Sequence, residues 1–438
     1  MSDGAGPADE AASPGPAMHA LLRELYPICR SITGDGVRQT LARLGQEIAL
    51  EVHEVPSGTQ VFDWTVPREW NIRDAYVKNA AGERVIDFRR HNLHVVSYSV
   101  PVRRTMSLAE LRPHLHTLPD QPDLIPYRTS YYRESWGFCL AHRDLERLPD
   151  GEYEVCIDAT LADGHLTYGE CFLPGTSPDE VLVSCHVCHP SLCDDNLSGI
   201  VVATFLARHL ARQSRRLSYR FVFIPGTIGA ITWLSRNEDR AQAIRHGLVL
   251  TCIGDRAGFT YKRSRRGTAT IDRAVEHVLG HLPERSTTID FSPYGYDERQ
   301  YCSPGFDLPV GCLMRSHHGR FPQYHTSADD PDFVDPAQLA GALATLQSVF
   351  EVLEHDRAWR NLNPRCEPQL GKRGLYGAVG GSGIAQLEMA MLWVLNLSDG
   401  RFTLLDIAQR SALPFAVIRH AADLLARHGL LAPCEPAG

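Results

Sequence analysis

From about residue 179 to residue 355 the chain alternates short apolar runs with helix-length segments, and this alternation restricts the fold more than any other feature. EVLVSCH, RFVFIPG, GLVLTCIGD and VGCLMRS are apolar at consecutive positions, as strands buried on both faces must be. Between and after them come a helical stretch through Ile200, Val201, Phe205, Leu206 and Leu210, another near Ala230 to Glu238, then IDRAVEHVLGHL and ALATLQSVFEVLEH. Such repetition predicts an α/β fold, a mostly parallel sheet sandwiched by helices.

The flanking segments have a different texture. Apolar residues at helical spacing (Leu21, Leu22, Leu25, Ile28, Val37, Leu41, Leu44, Ile48) predict two helices separated at SITGDG, where Gly34 and Gly36 punctuate the pattern. Residues 56–165 carry the turn signals PSG, TLPDQPDLIPY and LPDG between alternating runs such as NLHVVSYSV and EYEVCIDATL, with aromatics at Trp64, Trp70, Tyr127, Tyr131, Tyr132 and Trp136. They predict a β-rich domain inserted into an α/β domain made of 18–55 and 166–360. After a linker at 361–383, residues 384–438 read as helix, turn, helix, turn, helix, with Thr403 placed to cap the second. That is the layout of a winged helix.

Bulk properties narrow the class of partner. A net charge of -8 gives no electrostatic reason to expect nucleic acid or an anionic membrane, and the terminal unit lacks the strongly basic helix of a DNA reader. No run approaches the roughly 20 apolar residues of a membrane span. The opening MSDGAGPADEAASPGPA lacks the basic start and apolar middle of a secretory signal, and residues 1–17 read as a disordered leader. Twelve cysteines without such a signal fit reduced thiols and a cytoplasmic protein. The expected partner is a small-molecule substrate, and the terminal unit can support a homo-oligomer.

The chemistry concentrates in CHVCHPSLCDDNLSGI, residues 185–200. His186 ends a buried strand, where α/β folds present ligand-binding groups, and Asp195-Asn196 follows ahead of Ser198-Gly199 and a helix. A histidine followed by Asp-Asn-x-Ser-Gly resembles the zinc aminopeptidases of the bacterial leucyl-aminopeptidase type and the related glutaminyl cyclases. The resemblance implies His186 and Asp195 as metal ligands, with Asp255 at the end of GLVLTCIGD and His325 in YHTSADD completing the set. His189 is an additional candidate. One divalent ion is expected, zinc or else iron. The family's consecutive glutamates, a general base and a ligand, correspond here to Gly226-Thr227, and its aspartate two residues after the first histidine corresponds to Cys188. Proton handling then falls to Asp194, His189, Asp297 or Glu298, and Cys188 is a candidate soft ligand or nucleophile. The polar loop SPYGYDERQYCSPG is of the kind that lines substrate pockets and offers Tyr296, Arg299 and Tyr301. Arg315 and the loop KRSRRG add guanidinium groups able to hold an acidic substrate.

Longer stretches, among them ICRSITGDG, DWTVPREWNI, IPYRTSYYRESWGFCL, YGYDERQYCSPG and YHTSAD, are similar to a bacterial group of aminopeptidase-like proteins. That group combines a peptidase-like domain, a β-rich insert and a C-terminal winged helix, and is linked to polysaccharide or natural-product biosynthesis. The resemblance implies a metal-dependent hydrolase of an amide or peptide bond in a small polar biosynthetic intermediate. A mononuclear cyclase or acyl-transfer enzyme, or a non-catalytic small-molecule-binding protein, is the alternative.

Overall fold

The computed structural model describes residues 13–375 and 385–435. Eight strands form its main sheet: β1 (Glu51–Pro56), β2 (His165–Leu173), β3 (Glu180–His186), β4 (Ser218–Ile224), β5 (Ile244–Leu250), β6 (Thr260–Lys262), β7 (Thr287–Ile289) and β8 (Val310–Met314). Their order across the sheet is β1-β2-β4-β3-β5-β8-β6-β7. The central run β4, β3, β5, β8 is parallel, while β2 joins β4, and β6 joins β8, antiparallel. Both β3 and β4 are buried along their whole length. Tyr219, Phe221 and Phe223 of β4 enter one core, Val222 and Ile224 the other, as a period of two requires. Unbroken apolar runs in the sequence are the consequence of burial on both faces.

Helices α1 (Pro14–Leu25), α2 (Asp35–Leu44), α3 (Gly199–Leu210), α4 (Ile228–Arg236), α5 (Thr270–Gly280) and α6 (Pro336–His355) flank this sheet. All but α4 contribute to the first core, and α4 joins the inserted residues in the second. The chain leaves the main sheet at Pro56 and re-enters it at His165. Between these points a four-stranded antiparallel sheet (Arg84–Asp87, Glu69–Lys78, Glu152–Ala162, Val102–Ser107, in that order) packs Trp70, Val77, Val155 and Ile157 into the second core. Gly34, at φ +100°, allows this close approach: a Cβ there would lie 2.1 Å from the Trp70 carbonyl oxygen.

The terminal unit is a winged helix with α7 (Gln386–Leu397), α8 (Leu404–Ser411) and α9 (Phe415–Arg427). Thr403 caps α8 in a reciprocal box with Asp406. Its three-stranded sheet is centred on Ala358–Asn361, a strand at the boundary that the sequence pattern places at the end of the α/β domain. That strand follows α6 almost directly and pairs with both Asp399–Thr403 and Leu431–Cys434. The unit docks on the first core through Arg273–Asp406 at 2.5 Å and Arg419–Glu351. Of the expected leader, residues 1–12 lie outside the described residues, while Pro14 already opens α1. Residues 376–384 of the expected linker also lie outside them. No helix among the described residues is long and apolar enough to cross a membrane.

Candidate metal centre

His186 is the last residue of β3, at the carboxyl end of the parallel strands. The chain then loops into a turn of widened helix, Cys193–Ser198, whose regularity breaks at Asp195 (φ -110°, ψ 80°) and Asn196. That break turns the Asp195 side chain toward His186, a common use of widened helical turns at functional sites. Three bonds fix it: the Asn196 amide donates to the Leu250 carbonyl at 3.0 Å, and the backbone N–H groups of Asp194 and Asp195 donate to the Asp329 carboxylate at 2.6 and 3.0 Å.

Three imidazoles converge on the buried Asp195 carboxylate. His186 Nε2 lies 2.8 Å from Oδ1, His325 Nε2 3.0 Å from Oδ2 and His189 Nδ1 3.4 Å from Oδ2. The ligand atoms of His186, His189 and Asp195 all lie within 4.8 Å of one another. His325 sits on a left-handed backbone (φ 57°), and its loop is bound to the insert: Tyr127 N–H donates to the His325 carbonyl at 2.8 Å, and Ser327 N–H to the Ile125 carbonyl at 2.9 Å. Tyr296 stacks on His186 (centroids 4.7 Å, 14° between planes) and donates its hydroxyl to Asp195 Oδ1 at 3.0 Å. Tyr324 stacks on His325 at 3.9 Å, and Tyr127 meets His189 and His325 edge-on at 5.1 and 5.0 Å. The His325 side chain, 33% exposed, marks the open side.

The electrostatics follow from burial and this crowding. Burial works to raise the Asp195 carboxyl, but the charges and hydrogen bonds of His189 and His186 outweigh it and hold the group well below the usual carboxylate range. Burial depresses His186 and His325, whereas Asp195 reverses the effect of burial on His189 and raises it. The His186 Nδ1 is buried without a partner. Three nitrogens around one carboxylate make a donor set of the kind zinc or iron takes.

The other expected residues divide sharply. Asp255 does not join this group. β5 ends at Leu250, earlier than the apolar run suggested, so Thr251 brings its hydroxyl to 3.5 Å from Asp195. Asp255 lies four residues farther on, where its oxygens accept from Ala257 N–H at 2.6 Å and Ser316 N–H at 3.0 Å. Asp194 is buried beneath the centre, accepting from Gly254 N–H. Burial, with Asp329 and Asp255 nearby, raises it well above the usual range. Glu298 is not free to act as a base, because it is ion-paired to buried Lys262 at 2.8 Å. Cys188 is no nucleophile at neutral pH: burial pushes its thiol up to about 12, and its sulfur faces the Gly226 carbonyl. Tyr301 is buried against Ser184, and Arg315 is buried against the Ala257 carbonyl, Glu284 and the Phe259 ring, so neither faces a ligand. The KRSRRG cations are likewise engaged, Arg263 with Glu276 and Asp290, and Arg265 and Arg266 with Asp307.

Asp297 is different. It is fully buried, neither carboxyl oxygen has a partner, and burial pushes it up to about 8, with Glu298 adding to the rise and Arg299 opposing it. A Cβ at Gly226 would lie 3.5 Å from both Asp297 oxygens and 3.1 Å from the His186 Cβ. The carboxyl from the 291–303 loop thus occupies the space that a side chain at 226 would enter. Thr251, Tyr324 and Tyr127 were not anticipated as parts of the centre. Only the Tyr-His pair within YHTSADD hints at one of them.

Residues 19–356 match the family described as Domain of unknown function (DUF4910), and residues 357–433 match a winged helix-turn-helix family. A Clostridium acetobutylicum protein named for polysaccharide biosynthesis and an aminopeptidase-like domain is 54% identical over 418 residues, 95% of this chain and 96% of that protein. A crystal structure from the same organism, named as a peptidase, has a TM-score of 0.92 at 52% identity and covers 96% of each chain. BSAP, a zinc aminopeptidase from Bacillus subtilis, shares the fold with a TM-score of 0.56 at 12% identity, over 78% of this chain and 96% of its own.

Proposed function

The chain belongs to the family described as Domain of unknown function (DUF4910), and from that premise we propose that it is a metal-dependent hydrolase of an amide bond in a small polar biosynthetic intermediate. The observation that carries this reading is the convergence of His186, His189 and His325 on the buried Asp195 carboxylate at the carboxyl ends of the parallel strands. These four residues would hold a single zinc or iron ion. When bound, such an ion polarises a carbonyl and acidifies water. Tyr296 fixes the Asp195 oxygen that it bonds, and its stacking fixes the plane of His186. Asp297 supplies a carboxyl where the resemblance expects a glutamate. Being protonated at neutral pH, it can donate to a departing amine. The name of the Clostridium relative supports a place in polysaccharide biosynthesis.

Elemental analysis tests the reading without a substrate. The purified chain is expected to carry one zinc or iron, lost in His186→Ala and in Asp195→Asn. A native protein that takes up no metal after incubation with zinc would overturn it. The absence of any carboxylate at Gly226-Thr227 favours one second reading, an intramolecular cyclase or acyl transferase. Oxygen-18 from water appearing in the product identifies hydrolysis, and its absence identifies transfer.

A further inference from the structure

The inserted domain carries a feature that the metal centre does not use. Three of its aromatic residues have left-handed backbones: Phe62 (φ 53°), Tyr98 (φ 73°) and Tyr132 (φ 64°). Bulky side chains rarely adopt this conformation, and strain of this kind concentrates where a surface has a task. Phe62 stands at the turn of a hairpin pairing Gln60–Val61 with Trp64–Thr65. Trp64 is 44% exposed and Tyr132 55%, and the two rings meet edge to face at 5.4 Å. The hairpin divides two clefts. One, of about 440 Å³, is lined by Arg68, Tyr98, Tyr132, Arg133, Glu134 and Asp163. The other, of about 390 Å³, runs from Trp64 to α4 and Phe306.

The charges in these clefts select the ligand. Arg68 is paired with Glu134, the first cleft's other lining charges are one of each sign, Arg133 and Asp163, and the second cleft holds Asp63 and Glu238. Neither has the surplus of cations that a phosphate or carboxylate would need. What they present are aromatic faces beside hydrogen-bonding side chains of both signs. A pyranose matches this: its C–H face carries slight positive charge and lies on the negative face of an aromatic ring, while its hydroxyls both donate and accept. Ring contacts continue inward from Tyr132 to Tyr131 (6.4 Å), through a 2.8 Å hydroxyl contact to Tyr127, and so to His189 and His325.

We propose that Trp64 and Tyr132 form the stacking platform of a saccharide site across the two clefts, taking a neutral oligosaccharide of N-acylated amino sugars. The N-acyl group in that assignment rests on the amide-hydrolase reading of the centre; the neutral saccharide does not.

Calorimetric titration of the full chain with triacetylchitotriose tests it, with cellotriose and UDP-N-acetylglucosamine for comparison. Saturable chitotriose binding is expected in the native protein and equally in His186→Ala. It should weaken about tenfold in Trp64→Ala and in Tyr132→Ala, and be largely retained in Trp64→Phe. Both residues are exposed, so unchanged thermal midpoints should accompany the loss. No saturable binding, or binding indifferent to both alanine variants, overturns the platform. Tighter binding of the nucleotide sugar overturns its neutral character, and equal binding of cellotriose overturns the amino-sugar assignment. Intact binding without release of acetate leaves the platform standing and shows that the acetamido group of this probe is not the amide bond the centre cleaves.

Discussion

Replacing Lys262 with methionine isolates what holds the loop of Tyr296 and Asp297 in place. Lys262 is 1% exposed and Glu298 not at all. The ammonium bonds the Glu298 carboxylate at 2.8 Å and the Tyr294 carbonyl at 2.7 Å, and the second Glu298 oxygen has no partner. Methionine keeps most of the packing beside Phe291 and removes the charge together with both hydrogen bonds. Glu298 then stays behind as an uncompensated buried carboxylate, which costs about 3–5 kcal/mol. Urea unfolding at pH 7 should show this loss. The double variant Lys262→Met/Glu298→Gln should recover to within about 1–2 kcal/mol of the native chain. A loss below about 1 kcal/mol in the single variant would mean that the pair behaves as a solvated one. Glu298 would then return as a proton-transfer candidate.

Tyr296→Phe keeps the ring on His186 and deletes the bond to Asp195, so zinc affinity measured against a competing chelator should fall about 10–100-fold; unchanged affinity would remove the hydroxyl from the centre's support. Asp297 is pushed up to about 8, so between the unfolded carboxyl value and pH 8 the folded chain holds a proton that the unfolded chain has released. Its contribution is therefore lost as pH rises, and Asp297→Asn should stabilise more at pH 8 than at pH 4 in thermal melts; an equal effect at both would refute this. Cys188→Ser should keep its metal and the native protein should resist alkylation at Cys188 at pH 7, since that thiol is pushed up to about 12; metal loss would put the sulfur in the coordination.

Legibility in the sequence tracked the range of the interactions. The runs at β3 and β4 announced buried strands because each residue there is buried on one face or the other. His186 and Asp195, nine residues apart on one strand-to-helix connection, form a local pattern and were readable as such. Asp255 was misplaced because Cys252 and Ile253 continue the apolar run after the strand has ended; they are buried loop residues. Arg315 and Tyr301 looked like pocket residues because nothing nearby in sequence reveals Glu284 or Ser184 as their partners. Tyr127 was noted as an aromatic of the insert, but its contact with a histidine almost 200 residues later has no signature in spacing. The substitution of Asp297 for a side chain at Gly226 is likewise visible only when the two loops are seen together.

The backbone bonds from Ile125 and Tyr127 to the His325 loop have a temporal consequence. β3 and the turn after it carry His186, His189 and Asp195, but the Asp329 carboxylate that orients the turn and the third imidazole both come from a stretch whose His325 loop the inserted domain holds in position. The chelate therefore closes only after the insert has docked. Ion uptake during refolding becomes a clock for that step.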